Sequence, residues 1–206
     1  MIPLAWWRNF VHKFYYGLAV AFARKEIAKE KAQEWLKGSG DFLESIALAV
    51  GVVVAVVNPF VIQAFLIPSS SMIPTLQVGD RIMADKFVYY IRDPQRGEVI
   101  VFRAPPQADT LQRNFVKRVI GLPGDVIEVK DGRVYVNGKP LKEPYIYEPP
   151  YYQFGPYKVP KGYYFVMGDN RNDSSDSHIW GPLSRKRITG RALFIWWPVR
   201  RWGIVR

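Results

Sequence analysis

The stretch NFVKRVIGLPGDVIEVKDGRVYVNGK, residues 114–139, decides the class of fold. It contains three short runs rich in β-branched residues, NFVKRVI, DVIEVK and RVYVNG, and Gly, Pro and Asp stand between them, a pattern typical of β-strands. Asp131-Gly132 and Asn137-Gly138 are the residue pairs that type I′ hairpin turns prefer. The stretch therefore predicts antiparallel strands joined by tight turns.

Similar runs lie on both sides of this stretch. RIMADKFVYY and GEVIVFRA precede it, GYYFVMG and GRALFIWWPV follow it, and no long helical periodicity is found after Thr75. We therefore predict that residues 67–206 form one mainly β, antiparallel domain. Residues 142–162, which are dense in Pro and Tyr, are predicted to form an ordered irregular excursion within that domain.

A long apolar run precedes the β-rich region. Between Phe42 and Ile67 the only charged residue is Glu44, and about 20 apolar residues are enough to cross a bilayer core. We predict a transmembrane helix at residues 42–66, ended or kinked near Asn58-Pro59. The alternative is a buried helix of a soluble protein.

The segment before the apolar run, residues 1–41, is rich in Lys and Arg. Seven basic residues in a short segment favour a cytoplasmic location. The segment is predicted to hold an amphipathic helix that stops at Gly38-Ser39-Gly40, and residues 14–23 are too short to span a membrane and are expected to lie on or beside it. This arrangement predicts a single-pass protein of the inner (cytoplasmic) membrane with residues 67–206 on the extracytoplasmic side.

Composition narrows the classes of partner and chemistry. The 206 residues include 29 Lys and Arg against 18 Asp and Glu, a net charge of +11, which suits anionic lipid. Nucleic acid would suit the charge too, but no nucleic-acid-reading motif is present. The chain has no cysteine, which excludes disulfides, thiolate metal sites and a cysteine nucleophile.

The acidic loop GDNRNDSSDS, residues 168–177, resembles a calcium-binding loop. Arg171 and Ser174 interrupt its alternating carboxylates, and no bidentate Glu closes it. We therefore expect no metal and no cofactor, and we interpret Asp169, Asn170 and Asp173 as residues that hydrogen-bond within the loop.

The stretch IPSSSMIPTL, residues 67–76, places three serines in a row, a pattern that is typical of a linker unless a base activates one of them. One candidate base is His178, in a Ser/His/Asp arrangement with Asp176. The other is Lys117, whose pKa burial would lower. Strand alternation puts Lys117 on one face and Arg118 on the other, but a surface Lys-Arg pair fits the spacing equally well.

Four motifs extend this interpretation. IPSSSMIPTLQVGD, RGEVIVFRAP, KRVIGLPGD and GDNRNDSSDSHIWGPL follow one another in an order and spacing that resemble the type I signal peptidases, the membrane-anchored Ser/Lys proteases that remove secretory signal peptides. The resemblance runs from about residue 46 to residue 197. It implies an antiparallel β-sheet catalytic domain of the signal peptidase and LexA-like type, preceded by one transmembrane helix.

The resemblance implies a role for several residues. Ser71 matches the nucleophile and Lys117 the general base, and the Ser69 hydroxyl and the backbone N–H of Ser71 match the oxyanion donors. The implied supporting residues are Ser174, which orients the lysine amine, Asp176, which braces the site, and Arg118. The chain departs from many relatives in having Ser70 where they have Gly and His178 where they have Arg.

The implied substrates are preproteins with a signal peptide that ends in a small-x-small sequence, and the bound substrate is expected to extend the sheet as an added strand. The implied cleft consists of apolar residues: Phe65, Ile67, Pro68, Met72, Leu76, Ile82, Phe115 and Val116. We expect a monomer. Two alternatives are a Ser/Lys protease that cuts itself or a dedicated substrate, and an inactive membrane-tethered β domain that binds extended peptides.

Overall fold

The computed structural model describes residues 29–52 and 61–206. The chain divides into two units, residues 1–59 and residues 60–206. The predictions for residues 14–23 and for Asn58-Pro59 fall outside the described residues.

The first unit contains one described helix, α1, Lys29–Val52. It continues through Gly38, Ser39 and Gly40, so the predicted stop there is wrong. Each glycine costs a helix only about 1 kcal/mol relative to alanine, and the surrounding Ala, Glu, Lys and Leu residues favour helix on both sides. Within the described residues, no helix combines the length and the apolar character needed to cross a membrane.

The second unit begins with a strand at residues that the sequence analysis assigns to the membrane. Ile62–Leu66 forms β1 and pairs antiparallel with Arg81–Asp85, β2. The predicted anchor at residues 42–66 is therefore wrong over its last five residues. A short apolar run has no periodicity that separates a helix from a strand. Here Gln63 and Phe65 are partly buried while Ala64 and Leu66 are exposed, an alternation that is typical of a strand.

The larger sheet has eight strands, all antiparallel. Besides β1 and β2 these are β3 (Val99–Arg103), β4 (Asn114–Gly121), β9 (Tyr163–Met167), β10 (Leu183–Ser184), β11 (Ile188–Trp197) and β12 (Gly203–Ile204). Their order is β1-β2-β11-β3-β4-β9-β10, with β12 also paired to β11. The prediction of a mainly β, antiparallel domain is confirmed.

A second sheet of four strands has the order β7-β6-β5-β8. Its strands are β5 (Val126–Lys130), β6 (Arg133–Val136), β7 (Lys139–Pro140) and β8 (Phe154–Lys158). Asp131-Gly132 has φ values of 50° and 70°, and Asn137-Gly138 has φ values of 53° and 76°. Positive φ at both central residues defines type I′ turns, so both predicted turns are confirmed.

Short helices and one irregular segment complete the second unit. The helices are α2 (Val88–Ile91), α3 (Ser177–Trp180) and the 3₁₀ turns Arg185–Arg187 and Val199–Arg201. The predicted excursion at residues 142–162 is irregular in its first half, but it also contains β8, a strand that the Pro and Tyr content concealed.

Three buried apolar clusters form the core of the second unit. The first matters most for the site because it includes residues of the turn that follows β1. It consists of Ile67, Met72, Leu76, Ile82, Ala84, Val99, Val101, Ala192, Ile195 and Val205, with Phe65 and Val116 packed against it. This cluster fixes the position of the three-serine turn relative to β4.

Candidate active site

Ser71 and Lys117 meet in the folded chain. Lys117 lies in the middle of β4, and Ser71 lies in the turn between β1 and β2. Lys117 Nζ donates to Ser71 Oγ at 2.6 Å. Lys117 is only 3% exposed and Arg118 only 2%, so the alternative of a surface Lys-Arg pair is wrong.

The surroundings of Lys117 weaken its charged form. Burial lowers the pKa of Lys117 from 10.5 to about 8, although the carboxylates of Asp176, Asp169 and Asp173 act in the opposite direction. At pH 7 about one molecule in ten then carries the neutral amine, far more than for a free lysine. The amine is therefore available as a proton acceptor near neutral pH.

Ser69 and Ser70 differ in their contacts. Ser69 is exposed, and its Oγ lies 3.4 Å from Ser71 Oγ. Ser70 Oγ donates to Asp173 Oδ2. Ser70 is not among the non-glycine residues with positive φ, so a serine fits this turn without strain.

The loop that follows β9 holds the three-serine turn from the other side. The backbone N–H of Asn170 donates to Ser71 O at 3.1 Å, and its Nδ2 donates to Ser70 O at 3.4 Å. Together with the contact between Ser70 and Asp173, these bonds agree with the interpretation of this loop as a set of hydrogen-bonding residues.

Gly168 is a site residue that the sequence analysis missed. β4 pairs with β9 through Arg118 and Met167, so Gly168, the next residue, stands beside Lys117. A Cβ at Gly168 would overlap Ser174 Oγ and the carbonyl oxygen of Ser71. The missing side chain therefore allows the loop to lie against the three-serine turn, and a glycine directly after a strand is the only sequence signal for it.

Ser174 lies at this same contact beside Gly168. Its Oγ is buried and has no hydrogen-bond partner within the described residues. The structure thus places the Ser174 side chain near the Ser71 backbone, whereas the predicted hydrogen bond to the Lys117 amine is not formed in it. The orienting role of Ser174 stays a prediction.

Asp176 is fully buried and caps α3. Its Oδ2 accepts from the N–H of Gly168 at 2.9 Å, and its Oδ1 accepts from the His178 backbone at 3.2 Å and lies 2.6 Å from His178 Nδ1. The His178 ring stacks on Tyr152 with 4.1 Å between centroids. Lys117, rather than His178, hydrogen-bonds the Ser71 hydroxyl, so the geometry favours the lysine as base.

Arg118 occupies the opposite face of β4 and binds the Gly168–Asn170 turn. Its Nε and Nη2 donate to the two carboxylate oxygens of Asp169 at 2.8 and 2.7 Å. It also donates to Gly97 O and Arg206 O, and its guanidinium lies 3.9 Å from the centre of the Tyr145 ring. Arg118 therefore supports the site through Asp169.

A second buried arginine anchors the irregular excursion to the same loop. Arg171 donates to Gly168 O at 2.9 Å and forms two bonds with Glu143, at 2.9 and 2.6 Å. The backbone N–H of Tyr147 donates to Asp169 O. The excursion thus holds the loop that contacts Ser71, a role that no local sequence pattern indicates.

Most of the predicted cleft residues come together. Ile67, Met72, Leu76 and Ile82 are buried in the first core cluster, with Phe65 and Val116 partly buried against it. Phe115 packs instead in a different cluster, with its ring 6.2 Å from that of Phe102, and Pro68 is exposed. Phe65 and Val116 are therefore the members of this set that combine contact with the cluster and partial exposure.

Comparison with known proteins identifies the family to which this chain is similar. Residues 39–197 match the family model described as signal peptidase, peptidase S26. The chain is 46% identical to "Probable signal peptidase I-2" of Synechocystis sp. over 88% of this chain and 84% of that protein. It is 48% identical to signal peptidase I of Leptolyngbya laminosa, over 77% and 78% of the two chains.

A solved structure is also similar. The crystal structure of a signal peptidase I from Enterococcus faecalis has a TM-score of 0.43 and 32% sequence identity, covering 48% of this chain and 97% of that chain.

Proposed function

The chain belongs to the signal peptidase family, peptidase S26, and as a serine endopeptidase of the signal peptidase I type it cleaves signal peptides; we propose that Ser71 is its nucleophile and Lys117 its general base. The observation that carries this proposal is the 2.6 Å contact between Lys117 Nζ and Ser71 Oγ. Burial of the amine supports it, since burial lowers the pKa of Lys117 to about 8.

Acylation begins when the neutral Lys117 amine accepts the Ser71 proton. Ser71 Oγ then attacks the carbonyl carbon of the scissile bond, and the carbonyl oxygen becomes an oxyanion. When the tetrahedral intermediate collapses, the C–N bond breaks and the Lys117 ammonium gives its proton to the leaving amine. The products are the released mature chain and an ester between Ser71 and the signal peptide.

Two donors are proposed for the oxyanion, the Ser69 hydroxyl and the backbone N–H of Ser71. The position of Ser69 Oγ, 3.4 Å from Ser71 Oγ, supports this role. Removing one such donor elsewhere costs about 3 to 4 kcal/mol of transition-state stabilisation.

Deacylation uses the same amine again. After the leaving amine departs, water takes its place, Lys117 accepts a proton from it, and the hydroxide attacks the ester. The ester C–O bond breaks, the proton returns to Ser71 Oγ, and the signal peptide leaves with a free carboxylate.

The choice of a small-x-small sequence is proposed to come from the apolar surface beside Ser71. Phe65 and Val116 pack on a core cluster that Ile67 and Met72 help to form, and both are partly exposed, so they can present an apolar surface to the substrate. Small side chains at positions −1 and −3 would fit there, because residues two apart in an extended chain face the same side.

A membrane anchor is proposed for the apolar run that starts at Phe42, with the anchor ending before β1. Glu44 is the only charged residue between Phe42 and Ile67. The basic residues before the run favour a cytoplasmic N-terminus and an extracytoplasmic catalytic domain. Such an anchor would hold Ser71 near the lipid surface, where the signal peptides of preproteins reside.

The test is cleavage of a preprotein with an Ala-x-Ala site by purified protein in detergent. Wild type and His178→Ala should release the mature chain, whereas Ser71→Ala and Lys117→Ala should not. Correct cleavage by either of the last two variants would refute the Ser71-Lys117 assignment. Absence of cleavage by wild type would favour the inactive binding domain, and cleavage of the protein's own chain alone would favour self-processing.

A further inference from the structure

A basic cavity lies at the far end of β1 and β4 from Ser71. It has a volume of about 350 Å³ and is lined by side chains from four strands and one turn. The polar and charged lining residues are Gln63, Arg103, Asn114, Lys186, Arg187 and Thr189. None of these described lining residues is acidic, so the cavity carries uncompensated positive charge.

The cations of the cavity are free to meet a ligand. Arg103 and Lys186 are exposed, and neither forms an ion pair with the described residues of the chain. Arg187 Nη1 donates to two neutral acceptors, Ala104 O and Gln112 Oε1, at 3.0 and 3.2 Å. The cavity therefore favours an anionic or hydrogen-bond-accepting group.

Strand alternation connects this cavity to the apolar surface beside Ser71. Gln63 and Phe65 lie on the same face of β1, opposite the buried residues Ala84 and Ile82 of β2. Asn114 likewise lies on the same face of β4 as Val116, two residues further along. The same face thus changes from apolar to polar over two residues, about 7 Å, and the basic residue Arg103 pairs with Asn114 at this level.

Edge geometry indicates how a substrate would reach the cavity. Among the strands of the described residues, β1 ends the sheet and has β2 as a neighbour on one side alone, and β4 pairs with β9 only from Arg118 onward. A substrate strand added beside β1 would therefore place every second side chain on the face that carries Phe65 and Gln63.

The apolar surface sets the direction of such a strand. If the side chains at −1 and −3 lie near Ile67 and Phe65, the substrate runs parallel to β1 and its upstream residues extend away from Ser71. The next side chain on this face belongs to position −5, and it would lie near Gln63 and Asn114.

We propose that this cavity is a specificity subsite that selects an acidic or acceptor side chain about five residues upstream of the scissile bond. The inference rests on the proposed function, since position −5 has meaning only for a substrate cleaved at Ser71. Arg103 and Lys186 supply the charge, and Gln63 and Asn114 supply hydrogen bonds. The partly exposed location implies a modest preference rather than an absolute requirement.

The test uses three preproteins that are identical except for Asp, Ala or Lys at −5. Wild type in detergent should cleave the Asp substrate with a kcat/KM about tenfold above that of the Lys substrate, since one ion pair is gained in one case and one repulsion in the other. Arg103→Gln should reduce this ratio to about threefold, and Lys186→Glu should bring it to about one or reverse it. The matched control, Lys139→Glu, changes an exposed lysine of β7 in the other sheet and should keep the wild-type ratio.

Three results separate the possible failures. Cleavage of all three substrates by wild type at equal rates would overturn the subsite and leave the proposed function intact, whereas absence of cleavage of the Ala substrate would overturn both. A wild-type ratio retained in Lys186→Glu would also overturn the subsite. If that variant instead loses binding to phosphatidylglycerol vesicles, the cavity binds lipid phosphate and not the substrate.

Discussion

Each face of β4 buries one basic side chain, but the two side chains have different partners. Lys117 and Arg118 are neighbours in sequence, and both are almost completely buried. Arg118 meets the carboxylate of Asp169 through two hydrogen bonds and also donates to Gly97 O and Arg206 O. Lys117 donates to the hydroxyl of Ser71 and has no ion-pair partner among the described residues.

The difference follows from the chemistry of the two side chains. A guanidinium cannot lose its proton in a protein, so a buried arginine needs an anion and several acceptors. An amine can lose its proton, and burial without a direct carboxylate contact lowers the pKa of Lys117 to about 8. One face of the strand thus holds a permanent structural charge, and the other holds the proposed base, whose pKa lies near 8.

The most severe test of this comparison is Lys117→Met, which removes the amine and keeps most of the length of the side chain. We expect kcat/KM to fall by about 10⁴-fold or more, because no other base among the described residues contacts Ser71 Oγ. Cleavage of an Ala-x-Ala preprotein under single-turnover conditions measures the loss. Activity within about tenfold of wild type would mean that Lys117 is not the base.

The same variant should be more stable than wild type, not less. The folded-state pKa of Lys117 is depressed, so protonation of the buried amine costs stability at every pH below about 8, and this cost disappears as the pH rises to the unfolded value of 10.5. We expect Lys117→Met to raise the free energy of unfolding at pH 7 by about 1 to 3 kcal/mol. Urea unfolding at pH 7 and pH 10 should show this gain shrinking at the higher pH.

The second test removes the ion pair on the other face of β4. Arg118→Met leaves the Asp169 carboxylate buried without its partner, and removing one member of a buried pair costs about 3 to 5 kcal/mol. We therefore expect a large loss of stability, measured by urea unfolding with tryptophan fluorescence. The activity of the remaining folded protein should fall much less than in Lys117→Met.

A double variant checks that the cost comes from the pair. Arg118→Met with Asp169→Asn should be less destabilised than the sum of the two single variants, since the uncompensated charge has been removed. Strict additivity would argue that the two residues act independently.

Strand alternation made part of this comparison predictable. It places Lys117 and Arg118 on opposite faces of a strand, and the Asp-Gly and Asn-Gly pairs predict the two hairpin turns that the structure contains. These features depend on residues close together in the chain, for which local periodicity and turn preference are sufficient.

The parts that the sequence did not reveal depend on distant residues. Asp169 lies 51 positions from Arg118, and Glu143 lies 28 from Arg171, so neither ion pair has a local pattern. The apolar character of β1, taken alone, predicts a membrane helix. Its strand partner, β2, lies beyond the three-serine turn, so no local pattern reveals the pairing. Pairing between remote segments, rather than local preference, decides each of these points.

The third test concerns the loop that both faces share. Gly168→Ala places a methyl group against Ser174 Oγ and the Ser71 carbonyl oxygen, which should push the nucleophile away from Lys117. A displacement of about 1 Å typically costs about 10²-fold in rate. Gly203→Ala is the matched control because its nearest atom, Arg201 O, is 3.9 Å from the added carbon.

Steady-state kinetics on both glycine variants should show a kcat loss for Gly168→Ala with little change in KM. Equal activity of the two variants would mean that the loop can move without disturbing the pair. The Gly168→Ala variant should also be less stable than wild type, since the overlap involves a backbone atom.

The mildest test adjusts the charge around Lys117 without touching it. Wild-type kcat/KM should rise with pH through about 8, as the amine loses its proton. Burial is the main cause of the lowered pKa, and the Asp176 carboxylate opposes it more than Asp169 or Asp173 does. Asp176→Asn keeps an acceptor for the Gly168 N–H but removes the negative charge, so the pKa of Lys117 should fall further.

The alkaline rise of kcat/KM should therefore move to lower pH in Asp176→Asn, and by less in Asp173→Asn, whose carboxylate ranks below those of Asp176 and Asp169. Because Asp176 also contacts His178, the His178→Gln variant serves as the control for loss of that contact and should keep the wild-type midpoint. An unchanged midpoint in Asp176→Asn, or a shift toward higher pH, would contradict an amine whose pKa the Asp176 carboxylate raises. Because any base that depends on the Asp176 carboxylate would also titrate at lower pH without it, the retained midpoint of His178→Gln is the result that separates Lys117 from His178.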